Sequence, residues 1–191
     1  MNLKYLLGSI ISLPLLPLMY FHGKKIRKSI PKLPEAQGIE GFVSKKQGAT
    51  LKLLTIGEST MAGVGAKTHE EAFTGTLAKD LAKKLDINIH WKVYAKSGYT
   101  LKRVTHKILP QIKETDADLI VIGMGANNAF KLSSPSKWTK DVAELIKTVR
   151  TQFPKTPLAF INMPPIKDFP VFTSTLKFVI GNLVDLFGGE L

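Results

Sequence analysis

Serine, glycine and asparagine stand in three loops of this 191-residue chain, each just after an apolar run, and each is a residue type that acyl transfer uses. The first loop is Gly57-Glu58-Ser59-Thr60. A serine at the rim of a sheet exposes its hydroxyl as a nucleophile, and its backbone N–H can face a developing oxyanion. The second is Ser97-Gly98-Tyr99-Thr100, where Gly98 permits close backbone approach and offers an N–H near a helix start. The third is Gly123-Met124-Gly125-Ala126-Asn127-Asn128, where a side-chain amide turned into a site is an oxyanion donor. Taken singly, each loop also reads as turn or capping chemistry.

These loops need elements to position them. Leu51 to Gly57, Ala117 to Gly125 and Pro157 to Met163 are apolar runs of the kind buried on both faces of a parallel sheet, and Asn88 to Ala95 alternates as a fourth strand. Helical spacing fills the intervals. Phe73, Leu77, Leu81 and Leu85 share one face after a Thr68/Glu71 capping box; Leu101, Val104, Ile108 and Ile112 follow a cap at Thr100; Trp138, Val142, Leu145, Ile146 and Val149 follow Ser134 and Pro135. Alternating strands and helices predict an α/β fold, three layers with a parallel sheet between helices. Sites in such sheets form at the C-terminal ends of the strands, where the three loops lie.

In this order and at these strand ends, the loops resemble the blocks of the SGNH/GDSL hydrolase family: Gly57-Glu58-Ser59-Thr60 the first, Gly98 the second, Gly125-Ala126-Asn127-Asn128 the third. The resemblance covers most of Leu51 to Pro165. An apolar N-terminus, the basic His22-to-Lys28 flank and the Pro31-to-Ala36 linker are similar to a bacterial subgroup of membrane-attached members. It implies a flavodoxin-like sheet, Ser59 as catalytic nucleophile, and an oxyanion hole from the Ser59 and Gly98 N–H groups with the Asn127 side chain. Glu58 and Asn128 stand where the family usually has aspartates. The family's catalytic histidine follows an aspartate by three residues in a C-terminal loop, and no Asp-x-x-His occurs here. Of the four histidines, His69 is nearest to Ser59 in sequence, in the first turn of a helix; His22, His90 and His106 read as surface or boundary residues. None is placed to act as base. After Pro165 an apolar stretch from Leu176 to Phe187 reads as a core helix, and the last strand and histidine loop are expected to be missing by truncation.

The N-terminus adds a different element. Tyr5 to Phe21 is uncharged and, at 17 residues, near the lower limit for spanning a bilayer. No small-residue cleavage site precedes His22, so the segment reads as an uncleaved anchor, with a signal peptide as the competing reading. Lys24, Lys25, Arg27, Lys28 and Lys32, then Lys45 and Lys46, place much of the +12 net charge on its C-terminal side. By the positive-inside rule this points the folded domain to the cytoplasm of a bacterial inner membrane. The expected organisation is an anchor over 1–22, a basic linker over 23–50 and the hydrolase-like domain over 51–191. Pro14 and Pro17 argue against a straight anchor helix.

Other classes find less support. The scattered remaining lysines come without stacking aromatics, so no nucleic-acid partner is expected. No His, Asp or Glu cluster has metal-ligand spacing, there is no cysteine, and no cofactor is expected. GESTMAGVGA lacks the Gly-Lys-Ser/Thr of a phosphate loop, and GMGANN lacks the last glycine of a dinucleotide fingerprint. Two functions remain: a serine esterase acting on a small-molecule or lipid acyl ester, impaired for want of its histidine, or a catalytically inactive membrane-attached remnant or binding protein.

Overall fold

The computed structural model describes residues 3–29, 31–45 and 48–191. Lys46 of the basic flank lies outside the described residues, as do Met1, Asn2, Ile30 and Gln47. Helices run over α1 (Leu3–Ser12), α2 (Leu16–Ser29), α3 (Phe73–Leu85), α4 (Leu101–Lys107), α5 (Ala126–Phe130), α6 (Pro135–Gln152) and α7 (Ser174–Gly188). Strands are β1 (Glu40–Val43), β2 (Thr50–Gly57), β3 (Asn88–Ala95), β4 (Leu119–Gly123) and β5 (Leu158–Phe160). The chain divides into two compact units.

The sheet unit comprises Leu33–Met124 and Ala143–Ile161. Its strand order is β1-β3-β2-β4-β5. The expected strands pair in parallel, β2 with both β3 and β4, and β4 with β5. Alternation sorts the side chains by face. Leu53 joins Met61, Ala78, Ala82, Ile89, Trp91, Val93 and Val121 in one core cluster on the α3 side. Thr55 points the same way and shares a buried 2.8 Å hydrogen bond with Thr74 of α3, so its hydroxyl enters the core satisfied. Leu54, Ile56, Ile120 and Ile122 alternate with these and are buried on the opposite face.

Three local expectations change. The segment read as linker contains β1, which pairs antiparallel with β3 and makes the sheet mixed. Its short polar run carries no periodicity signal; it is held because Gly41 sits opposite Trp91, whose ring occupies the space where a Cβ would stand. The Thr68/Glu71 box does not cap α3. Thr68 opens a turn, its carbonyl accepting from the Glu71 and Ala72 N–H groups, and α3 starts after Ala72 without a side-chain cap. Thr100 is the N-cap of α4 by position but accepts no side-chain bond, whereas Ser134 Oγ accepts from Lys137 N–H at 3.3 Å before α6.

The second unit comprises the chain up to Lys32, Gly125–Val142 and Asn162–Leu191. Pro14 and Pro17 locate the 3-10 turn, Leu13–Leu15, that separates α1 from α2. Helix α7 buries Leu176, Val179, Ile180, Leu183, Val184 and Phe187. Trp138 stacks on Phe187 at 4.9 Å and donates its indole N–H to the Phe187 carbonyl. Here the N-terminal helices pack on α7, where His22 Nδ1 lies 3.0 Å from Thr173 Oγ1 and Met19 is buried. Leu3–Ser29 is long and apolar enough to cross a membrane, a test that a signal sequence near the N-terminus also passes.

Packing is tight at Gly57, where a Cβ would strike the Gly123 carbonyl and lie 2.6 Å from Met61 Cγ. Gly57→Ala is expected to cost about 1–3 kcal/mol by overpacking, read as a lowered urea midpoint at unchanged slope.

Candidate functional site

Two of the three loops lie in the sheet unit, and their geometry follows from the ends of β2 and β3. Beyond Gly57 the chain turns over Glu58 to Gly65. The turn is closed by Ala62 N–H to the Glu58 carbonyl at 2.8 Å and Val64 N–H to the Ser59 carbonyl at 3.1 Å. Glu58 is buried, Ser59 half-buried and Thr60 exposed. Ser59 Oγ lies 3.0 Å from Ser97 Oγ, so the first loop touches the second through their hydroxyls.

The second loop is a four-residue turn closed by Tyr99 N–H to the Lys96 carbonyl at 3.3 Å. Gly98 is its third residue, with φ +77°, a conformation glycine takes without steric cost. A Cβ at Gly98 would meet nothing within 4 Å, so the space beside it is open. Among the described residues, neither the Ser59 nor the Gly98 N–H donates to a backbone or side-chain acceptor.

Sequence reasoning missed the neighbours of these loops. Glu35, in the segment read as linker, accepts from Ser97 N–H at 2.8 Å through Oε1 and from Lys96 Nζ at 2.7 Å through Oε2. Burial would raise its pKa, but the hydrogen bonds from Lys96 and Ser97 outweigh it, helped by the charge of Lys96, and hold the carboxyl below the usual value. His69 lies in the turn before α3, not in its first turn. It is 3% exposed, and its Nδ1 has no hydrogen-bond partner. Burial pushes its pKa down, opposed in part by the Glu35 charge. No periodicity marks Glu35, and nothing in the sequence distinguishes Ser97 from a turn serine.

From Gly125 onward the third loop belongs to the other unit. Gly125, at φ +129°, precedes α5, and a Cβ there would collide with Met163 and lie 3.2 Å from Trp138. Asn127 is half-buried and Asn128 buried, and both have partners. The remaining histidines are engaged elsewhere. His22 meets Thr173, His90 pairs with Glu40 at 2.7 Å, and His106 lies 3.2 Å from Glu144. Among the described residues Ser59 Oγ therefore has Ser97, and no histidine, as its hydrogen-bond partner. No group of three or more His, Asp or Glu residues capable of holding a metal occurs among them.

Comparison with known proteins extends this picture. A family model described as GDSL-like lipase/acylhydrolase matches residues 55–182. The structure is similar to that of AlinE4, an SGNH-hydrolase family esterase, with a TM-score of 0.57 and 18% identity over 76% of this chain and 70% of that one. TesA is similar with a TM-score of 0.55 and 21% identity over 73% and 69% of the two chains. A family 3 carbohydrate esterase from Clostridium thermocellum aligns with a TM-score of 0.53 and 16% identity over 74% and 70%. Comparison with curated proteins gives no match. Identities this low establish a shared fold and leave the substrate open.

The His69 environment has a measurable consequence. Its folded pKa is depressed below the ordinary 6.5, so the unfolded chain binds the proton more readily, and stability falls as pH drops below about 6.5. His69→Leu is expected to flatten the rise of Tm between pH 5 and 7. An unchanged slope would place its origin in other groups.

Proposed function

This chain belongs to the GDSL-like lipase/acylhydrolase family, and from that premise we propose that it is a serine ester hydrolase with Ser59 as nucleophile. The observation that carries the reading is the pair of N–H groups, Ser59 and Gly98, without acceptors among the described residues, beside a half-buried serine hydroxyl and an open space. Donors left free in this way suit an oxyanion. Ser59 Oγ attacks the acyl carbonyl, an Oγ–C bond forms, and the negative oxygen is received by the two N–H groups, the family resemblance implying the Asn127 amide as a third donor. Collapse breaks the C–O bond to the alcohol, which leaves with a proton, and water then releases the acid from the acyl-serine. The substrate class is a small-molecule or lipid acyl ester.

The attacking hydroxyl must lose its proton to a base in hydrogen-bond reach. Ser97 Oγ occupies that reach, and a hydroxyl is a relay and not a base at neutral pH. This observation favours the second reading, a family member that binds an acylated ligand without turning it over. Both readings keep the N-terminal segment as an uncleaved anchor, 1–22, with the folded part on the cytoplasmic side of a bacterial inner membrane. The basic residues Lys24, Lys25, Arg27 and Lys28 on α2 support that orientation.

One experiment separates them. The full chain, in detergent, is treated with a fluorophosphonate and with p-nitrophenyl acetate. As a hydrolase it is labelled at Ser59 and releases nitrophenolate, and Ser59→Ala abolishes both with the melting temperature preserved. Turnover that survives Ser59→Ala would sink the nucleophile assignment, and an unlabelled, inactive, folded wild type would favour the alternative of a catalytically inactive remnant or binding protein.

A further inference from the structure

We propose that Glu35 is a positioning residue for the serine-centred site, clamping the Lys96–Tyr99 turn so that Ser97 meets Ser59 and the Gly98 N–H keeps its aim. This rests on the hydrolase reading of Ser59. Apart from Glu35, the turn is held by Tyr99 N–H to the Lys96 carbonyl at 3.3 Å, by Lys96 N–H to the Gly57 carbonyl at 3.1 Å and by Arg103 over the Tyr99 ring at 4.2 Å, with Gly98 in the left-handed region. These hold the two ends of the turn, whereas the Ser97 N–H between them is held by Glu35. Glu35 supplies two hydrogen bonds, at 2.8 Å to the Ser97 N–H and at 2.7 Å to Lys96 Nζ, and bonds to an ionised carboxylate are among the stronger ones.

A clamp must itself be fixed. The backbone around Glu35 is tied to the turn that begins at Ser59: Gly65 N–H donates to the Pro34 carbonyl at 3.0 Å, Ala36 N–H to the Ala62 carbonyl at 3.1 Å, and Gln37 N–H to the Lys67 carbonyl at 3.1 Å. The His69 N–H closes the set on the Gln37 carbonyl at 2.8 Å. Residues 34–37 therefore grip the Ser59 turn by backbone and the Ser97 turn by one side chain. The 3.0 Å contact between the two hydroxyls is the product of that double hold. Glu35 touches neither substrate nor reacting atoms in this arrangement, and it acts through Ser97.

The charged and titratable groups facing Glu35 are Lys96 and His69. With its carboxyl held below the ordinary value, the clamp is intact at neutral pH and opens only in acid, as pH falls through that lowered value.

The test uses the full ¹⁵N-labelled chain in detergent micelles, with hydrogen exchange at Ser97 and fluorophosphonate labelling of Ser59 as independent readouts. Glu35→Ala is expected to speed Ser97 amide exchange about tenfold while core amides such as Leu53 and Ala78 keep their rates, and to slow Ser59 labelling by a similar factor. Glu35→Gln retains an acceptor for the Ser97 N–H and is expected to restore most of both, which general destabilisation would not do. Should Glu35→Ala fail to fold, Glu35→Gln and the wild type taken into acid carry the same readouts, with Ser97 protection, relative to the intrinsic exchange rate at each pH, expected to fall in acid for the wild type and to change less in the variant. A Ser97 amide indifferent to Glu35→Ala, or to acid, would overturn the clamp. A Ser97 response with no Ser59 labelling even in wild type would uphold the clamp and remove the hydrolase reading.

Discussion

Two glycines facing each other across the sheet set the position of everything described at its rim. Gly57 ends β2 and Gly123 ends β4, and they are register partners. Because neither has a side chain, Met61 folds down over both, and the Gly123 carbonyl approaches so closely that a Cβ on Gly57 would collide with it. That carbonyl accepts the Glu58 N–H at 3.1 Å, while the Gly57 carbonyl accepts the Lys96 N–H at 3.1 Å. The serine turn and the glycine turn thus both start from hydrogen bonds to one glycine pair. A larger residue at either position would displace the origin of both loops at once.

The parts of this arrangement that the sequence disclosed are those with a repeating signal. Continuous apolar runs marked β2 and β4, alternation marked β3, and the four-residue spacing from Phe73 marked α3, because burial on one or two faces imposes a period on residue type. The resemblance pointed to Ser59, Gly98 and Asn127 because those loops follow such runs. What escaped notice has no period. β1 is four residues long and is fixed by a contact between Gly41 and Trp91, fifty positions apart. Glu35 reads as an ordinary linker acid until Ser97 and Lys96 are brought to it by β3 pairing with β2. The Thr68 box illustrates the opposite case, a local signature overruled because the Gln37 carbonyl takes the His69 N–H and holds the segment as a turn.

Family membership and the low identity to solved relatives say different things. The fold is preserved across chains sharing about a fifth of their residues, since a sheet core tolerates many apolar side chains of suitable size. Chemistry tolerates far less. A serine hydroxyl bonded to another hydroxyl, as Ser59 is to Ser97, needs a proton acceptor before it can attack, and the step from fold to turnover turns on that one group. The buried Nδ1 of His69, without a hydrogen-bond partner, is a separate cost, and burial disfavours the charged imidazole there.

The antiparallel strand β1 has a role outside the site. It pairs along the outer side of β3, covering four residues of an eight-residue strand whose side chains include Trp91 and Val93. Its outward positions carry Glu40, joined to His90 and Lys92 by ion pairs. A charged, short edge is a poor template for a strand from another molecule. The polar segment after the N-terminal helix therefore also works as a solubility device, keeping one margin of the sheet from seeding β-structure between copies of the chain.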